Sequence, residues 1–133
     1  MKSLDTNIVL RLLLGDVAEQ SAAVKQMISD AKPNSLAVAD IVFFESAWIL
    51  SGPMFGVDRK TIGELLIQIT NIPQINCNRT MLQKAVPLYI AHPALSFVDV
   101  CLAVYAELNN SIPLLTFDKK LAAQLPKNVT LMK

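Results

Sequence analysis

Two hydrophobic periods alternate along this chain, and their order predicts the architecture. Residues 2–5 read as a strand, and residues 7–14 as a short apolar helix stopped at Gly15. Residues 17–31 are amphipathic, with Val17, Ala18, Ser21, Val24, Ile28 and Ala31 on one face, and Pro33-Asn34 breaks that helix. A second strand follows at 35–39, then a strongly apolar helix at 40–50 that ends near Ser51-Gly52-Pro53. Residues 58–70 form another helix, with Asp58 as N-cap and Ile62, Leu65, Leu66 and Ile69 facing inward. A brief strand spans 75–77, and the helix at 79–91 must accommodate Pro87, which predicts a kink. The helix at 96–109 is apolar nearly all round and should be buried. A strand at 113–117, a short helix at 119–125 and a last strand at 128–132 complete the chain. Strands alternating with helices predict an α/β fold with a mostly parallel sheet. Active sites in such folds lie beyond the carboxyl ends of the strands.

The length, 133 residues, suits one domain spanning 1–133 around a single core. The apolar fraction of 53% and the mean hydropathy of +0.42 are high for so small a chain. No apolar run approaches the roughly 18 residues that span a bilayer, and the start lacks the pattern of a signal peptide. The surplus therefore predicts an exposed apolar patch, used in a homodimer or against another chain. A net charge of +1 points to neither nucleic acid nor membrane by itself. Cys77 and Cys101 stand far apart and, with one histidine, offer no zinc-site spacing. A reduced, cytoplasmic protein is the expectation.

Composition changes the picture most through the acids. Asp16, Glu19, Asp30, Asp58, Glu64 and Glu107 fall on polar faces or at caps. Asp5, Asp40, Glu45, Asp99 and Asp118 are instead set among apolar residues, in SLDTN, VADIV, FFESA, FVDVC and LTFDKK. Burying an ionised carboxylate alone is very costly, whereas several together are tolerated around a cation. Ordinary capping competes for four of them. Asp5, Asp40 and Asp118 each sit where an N-cap is wanted, and Ser96-Phe97-Val98-Asp99 fits a capping box. Glu45 has no such explanation, lying inside an apolar helix between Phe44 and Trp48. Capping and ligation are compatible. If the first strand neighbours both the second and the fourth, all five acids converge. Three or four carboxylates in one cleft suit Mg²⁺ or Mn²⁺.

This constellation resembles the PIN-domain nucleases, in particular the VapC-like toxins of toxin–antitoxin pairs. LDTNIVLRLLLGD resembles the family's opening strand and helix, which places the first metal-binding acid at Asp5. IVFFESAWIL resembles the helix bearing the family's glutamate, here Glu45. LSFVDVCLAVYAELN and IPLLTFDKKLA resemble the segments of the third and fourth acids, here Asp99 and Asp118. The resemblance implies a three-layer α/β/α sandwich around a mostly parallel sheet, and metal-dependent hydrolysis of phosphodiesters, usually in RNA. It also implies dimers restrained by a cognate antitoxin. Thr6, Asn7 and Thr116 match polar positions that support the acidic centre, although turn and strand-end hydrogen bonding explains them equally well. Many relatives carry an acid where this chain has Ser96, which weakens a second metal site and favours the capping box.

On this reading Asp5 and Asp99 hold a Mg²⁺ or Mn²⁺, helped by Asp118 and Glu45, and Glu45 or Asp118 orients the attacking water. Arg11, Lys119 and Lys120 are the first candidates for holding an RNA backbone, against the simpler reading of solvated surface cations. His92 before Pro93 reads as a loop or helix-end residue, and no nucleophile elbow or phosphate-cradling glycine loop is present. Two other readings remain open: a PIN-like protein-binding module with weak or no cleavage, and a housekeeping RNA-processing nuclease. A receiver-type phosphoacceptor would want paired acids at the first strand, where only Asp5 stands.

Overall fold

The computed structural model describes residues Met1–Lys133, with five short strands and seven helices in alternation. They divide into two units, Met1–Asn78 and Arg79–Lys133.

The first unit begins with β1 (Lys2–Ser3) and α1 (Thr6–Leu14). Gly15 ends α1 in the left-handed region at φ 63°, its N–H returning to the carbonyl of Arg11. Next come α2 (Ala18–Asp30), β2 (Leu36–Ala37), α3 (Asp40–Ser51), α4 (Arg59–Thr70) and β3 (Ile75–Asn76). The strands form one parallel sheet in the order β1-β2-β3, in a register that pairs Lys2 with Leu36 and Leu36 with Ile75. Helix α1 packs on α2 and α3, and α3 packs on α4. Phe43, Leu50, Ile62, Leu66 and Ile75 are wholly enclosed, each burial stabilising by about 1.5–3 kcal/mol.

The second unit comprises α5 (Arg79–Ala91), α6 (Phe97–Leu108), β4 (Leu114–Thr116), α7 (Lys119–Gln124) and β5 (Val129–Leu131). β4 and β5 are parallel, with Leu114 opposite Val129. Helices α5 and α6 pack on one another, and the rings of Tyr89 and Phe97 meet edge-on at 5.3 Å between centroids. Helix α5 runs on through Pro87, which sits on the exposed side. A proline ring there has room, and the backbone donor it removes is one water can replace.

Every strand pairing is parallel and every strand is followed or preceded by helix, so the α/β expectation holds. Three finer expectations need correction. Helix α6 is not buried all round: Val98 and Leu102, one turn apart, face out at 44% and 46% exposure. Asp40 is not an N-cap, because Ala39 holds that position and Asp40 is the first residue of α3's opening turn. The apolar stripe of α2 is narrower than its pattern suggests, with Ser21, Val24 and Ile28 buried while Val17 and Ala18 are exposed.

Candidate metal centre

Asp5 follows β1 as the N-cap of α1. Its Oδ1 accepts the N–H of Ile8 at 3.0 Å, satisfying one of the donors that a helix start leaves open, while Oδ2 accepts nothing from the chain. Asp5, Asn7, Arg11 and Gln20 line one open pocket between α1 and α2. The guanidinium of Arg11 is paired there with Asp16. Thr6 opens α1 and is half-buried.

Glu45 lies mid-way along α3, and its carboxylate has no hydrogen-bond or ion-pair partner in the chain. Its setting departs from the sequence expectation. The neighbouring apolar residues do not enclose it: Glu45 is exposed, on the same face as Ile41 and Trp48, themselves 61% and 78% exposed. The reason is geometric. Phe43, Ala47 and Leu50 supply the buried face of α3, so its other apolar residues face out and carry Glu45 with them. Asp40 is half-buried and accepts the side-chain amide of Asn78 at 3.3 Å.

In the second unit, Ser96 is the N-cap of α6, its Oγ accepting the N–H of Asp99 at 3.1 Å. The capping box is only half made, because the half-buried Asp99 carboxylate returns no hydrogen bond. Asp118 follows β4 as the N-cap of α7, with Oδ1 accepting the N–H groups of Lys120 at 2.9 Å and Leu121 at 3.1 Å. Its own N–H donates to Thr116 Oγ1 at 3.0 Å, so Thr116 fixes the turn that presents the carboxylate. Lys119 and Lys120 are exposed and free of ion pairs. His92 accepts or donates at Nδ1 with Gln124 at 2.8 Å, beyond the helix end as expected.

The residues suit a hard divalent cation. Asp5 and Asp118 each keep Oδ2 free of hydrogen bonds, and Glu45 and Asp99 keep both oxygens free. Free carboxylate oxygens are the donors that Mg²⁺ and Mn²⁺ take. Within neither unit alone do three or more His, Cys, Asp or Glu side chains gather into a metal-holding group.

The PIN domain family model matches residues 3–125, running through both units. This chain belongs to the PIN-domain family. PIN domains have a nuclease-type fold of helices around a mostly parallel sheet, and are generally metal-dependent hydrolases that act on RNA. A search of curated proteins finds no match to the chain. No helix is long and apolar enough to cross a membrane.

Sequence reasoning missed the Asn78–Asp40 contact, since nothing in the local pattern links residues so far apart. It also did not locate the exposed apolar surface at Trp48 and Phe117, because both sit in apolar runs whose outward side the pattern does not mark.

Proposed function

We propose that this PIN domain is a Mg²⁺- or Mn²⁺-dependent endoribonuclease, the toxin of a toxin–antitoxin pair, built as a single nuclease domain over residues 1–133. The observation that carries the nuclease reading is the set of unused carboxylate oxygens on Asp5, Glu45, Asp99 and Asp118. The family match through both units supports treating them as one domain.

Asp5 and Asp99 would hold the ion, with Asp118 and Glu45 completing its oxygen donors. When bound, the ion supplies Lewis acidity and offsets negative charge on the phosphoryl group. The chain's own residues do the rest. Glu45 or Asp118 accepts a hydrogen bond from the attacking water and so orients it for in-line displacement of the leaving oxygen. Thr116 steadies the turn before Asp118, while Thr6 and Asn7 shape the start of α1 beside Asp5. Ser96, where relatives often carry an acid, serves as a cap. Lys119 and Lys120 are free to meet backbone phosphates, with Arg11 a weaker candidate because Asp16 already pairs with it.

A cytoplasmic homodimer held inactive by a cognate antitoxin accounts for the exposed pair Val98 and Leu102 on α6 and for the 53% apolar content. The capping role of Ser96 favours one alternative, a PIN-like binding module with little cleavage, because it leaves one acid fewer. A housekeeping RNA-processing nuclease is the other. The deciding experiment is cleavage of structured and single-stranded RNA with Mg²⁺, Mn²⁺ or EDTA, beside a folded Asp5→Asn protein. Metal-dependent cleavage lost in that variant is expected. No cleavage of any RNA by the folded, metal-loaded chain would favour the binding module.

A further inference from the structure

The chain's aromatic side chains divide sharply by exposure. Phe43, Tyr89 and Phe97 are buried, and Phe44, Phe55 and Tyr105 are half-buried. Only Trp48, at 78%, and Phe117, at 76%, stand open to solvent. Each is beside one of the proposed metal-holding acids. Trp48 follows Glu45 by three residues in α3, the spacing that makes side chains neighbours on one helix face. Phe117 immediately precedes Asp118 and is followed by the unpaired Lys119 and Lys120.

We infer that Trp48 and Phe117 are base-stacking residues that position single-stranded RNA beside the acids, a role that rests on the nuclease reading above. An apolar protein surface closing over Trp48 would also desolvate the Glu45 carboxylate, which has no partner in the chain to offset the loss. A nucleobase covers the ring face alone and leaves the carboxylate open. The three residues from Glu45 to Trp48 rise about 4.5 Å along α3, less than one helical turn. A base stacked on Trp48 is therefore held close to a phosphate addressed by Glu45. At Phe117 the adjoining lysine pair attracts backbone phosphate while the ring offers a stacking face. Stacking of this kind needs unpaired bases, so the substrate at these two rings is single-stranded and read without strict sequence preference.

Trp48 is the single tryptophan, so its fluorescence reports directly on the ring. The probe is a short single-stranded oligoribonucleotide, titrated with Mg²⁺ into the Asp5→Asn chain so that it is bound but not cut. The same strand annealed to its complement is the control. The single strand should quench Trp48 saturably and the duplex should quench it far less. By anisotropy of labelled RNA, Trp48→Ala and Phe117→Ala in that background should each bind roughly five- to a hundredfold more weakly. Trp48→Tyr and Phe117→Tyr, which keep a ring, should recover most of that loss. Unchanged affinity in both alanine variants would overturn the assignment, as would fluorescence that follows protein concentration instead of RNA, the mark of self-association. If Trp48→Ala and Phe117→Ala on the otherwise wild-type chain cut RNA like the parent while Asp5→Asn does not, the nuclease reading stands and stacking fails. If the parent neither binds nor cuts any RNA, both fail together.

Discussion

The backbone N–H of Asp99 donates to Ser96 Oγ at 3.1 Å, yet the Asp99 carboxylate gives no acceptor back to Ser96. One residue caps and the other keeps its charge available. Ser96→Ala should therefore lower stability by about 1 kcal/mol through loss of the cap, with little direct effect on metal affinity. Ser96→Asp should hold the cap, since aspartate serves there as well, and add a carboxylate beside Asp99. Calorimetric titration with Mn²⁺ checks this: tighter binding is expected for Ser96→Asp, at a thermal midpoint near that of the parent.

Asp5→Asn should separate folding from chemistry. Asparagine can still accept the N–H of Ile8 and cap α1. Its thermal midpoint should stay close to the parent's, while cleavage falls by about a hundredfold or more with the loss of charge stabilisation. Asp5→Ala should lose activity as well, and in addition about 1 kcal/mol of stability on denaturant unfolding. Equal stability of the two variants would argue against the cap.

Ser46 is fully buried in α3 and its hydroxyl has no hydrogen-bond partner. An orphaned buried hydroxyl costs about 1–3 kcal/mol, and alanine is also the better helix former. Ser46→Ala should raise stability by about 1 kcal/mol, read as a higher denaturation midpoint with an unchanged slope. A lower midpoint would show that the hydroxyl has a use in the folded state.

Asp58 caps α4, and the hydroxyl of Thr61 donates to it at 2.6 Å. That bond, with the Thr61 N–H, holds the Asp58 carboxyl below its ordinary value of 3.8. The folded state thus favours the charged form. The contribution to stability is fully present above the ordinary value and is lost as pH falls through the lower, folded-state value. Asp58→Asn should remove this contribution, making the protein slightly less stable at neutral pH and flattening the acid limb, so that the two proteins converge below about pH 4. Thr61→Ala should act in the same direction.

The helices were legible because their apolar positions repeat along one face and their ends carry recognisable caps, as at Asp58, Ser96 and Gly15. The strands were placed but read too long: 35–39 shrinks to Leu36–Ala37, with the N–H groups of Ser35 and Val38 at its edges each making only a flanking bond, to Gln74 and Asn76, that ends the regular pairing. At the candidate site, the order of motifs along the chain nominated Asp5, Glu45, Asp99 and Asp118, and what the structure adds is the hydrogen bonding and exposure of each. Exposure was not readable. In a helix as apolar as α3, either face satisfies the pattern, so nothing in FFESAW says that Glu45 and Trp48 share the open side. Asp40 was misplaced by one residue for a related reason, since Ala39 and Asp40 fit the start of α3 equally well until the backbone is seen.

The two sheets differ in how far the chain must travel to close them. Leu114 meets Val129 across the six-residue α7, a local closure that can form as soon as that helix does. Lys2 meets Leu36, and Leu36 meets Ile75, only after whole helices have been laid down between them. Distant pairings reward the chain late and slow the folding of whatever depends on them. The second unit should therefore acquire protected amides early and the strands of the first unit last. During synthesis β1 emerges before any of its partners. Its edge then waits, open to other chains, until residues far downstream have left the ribosome.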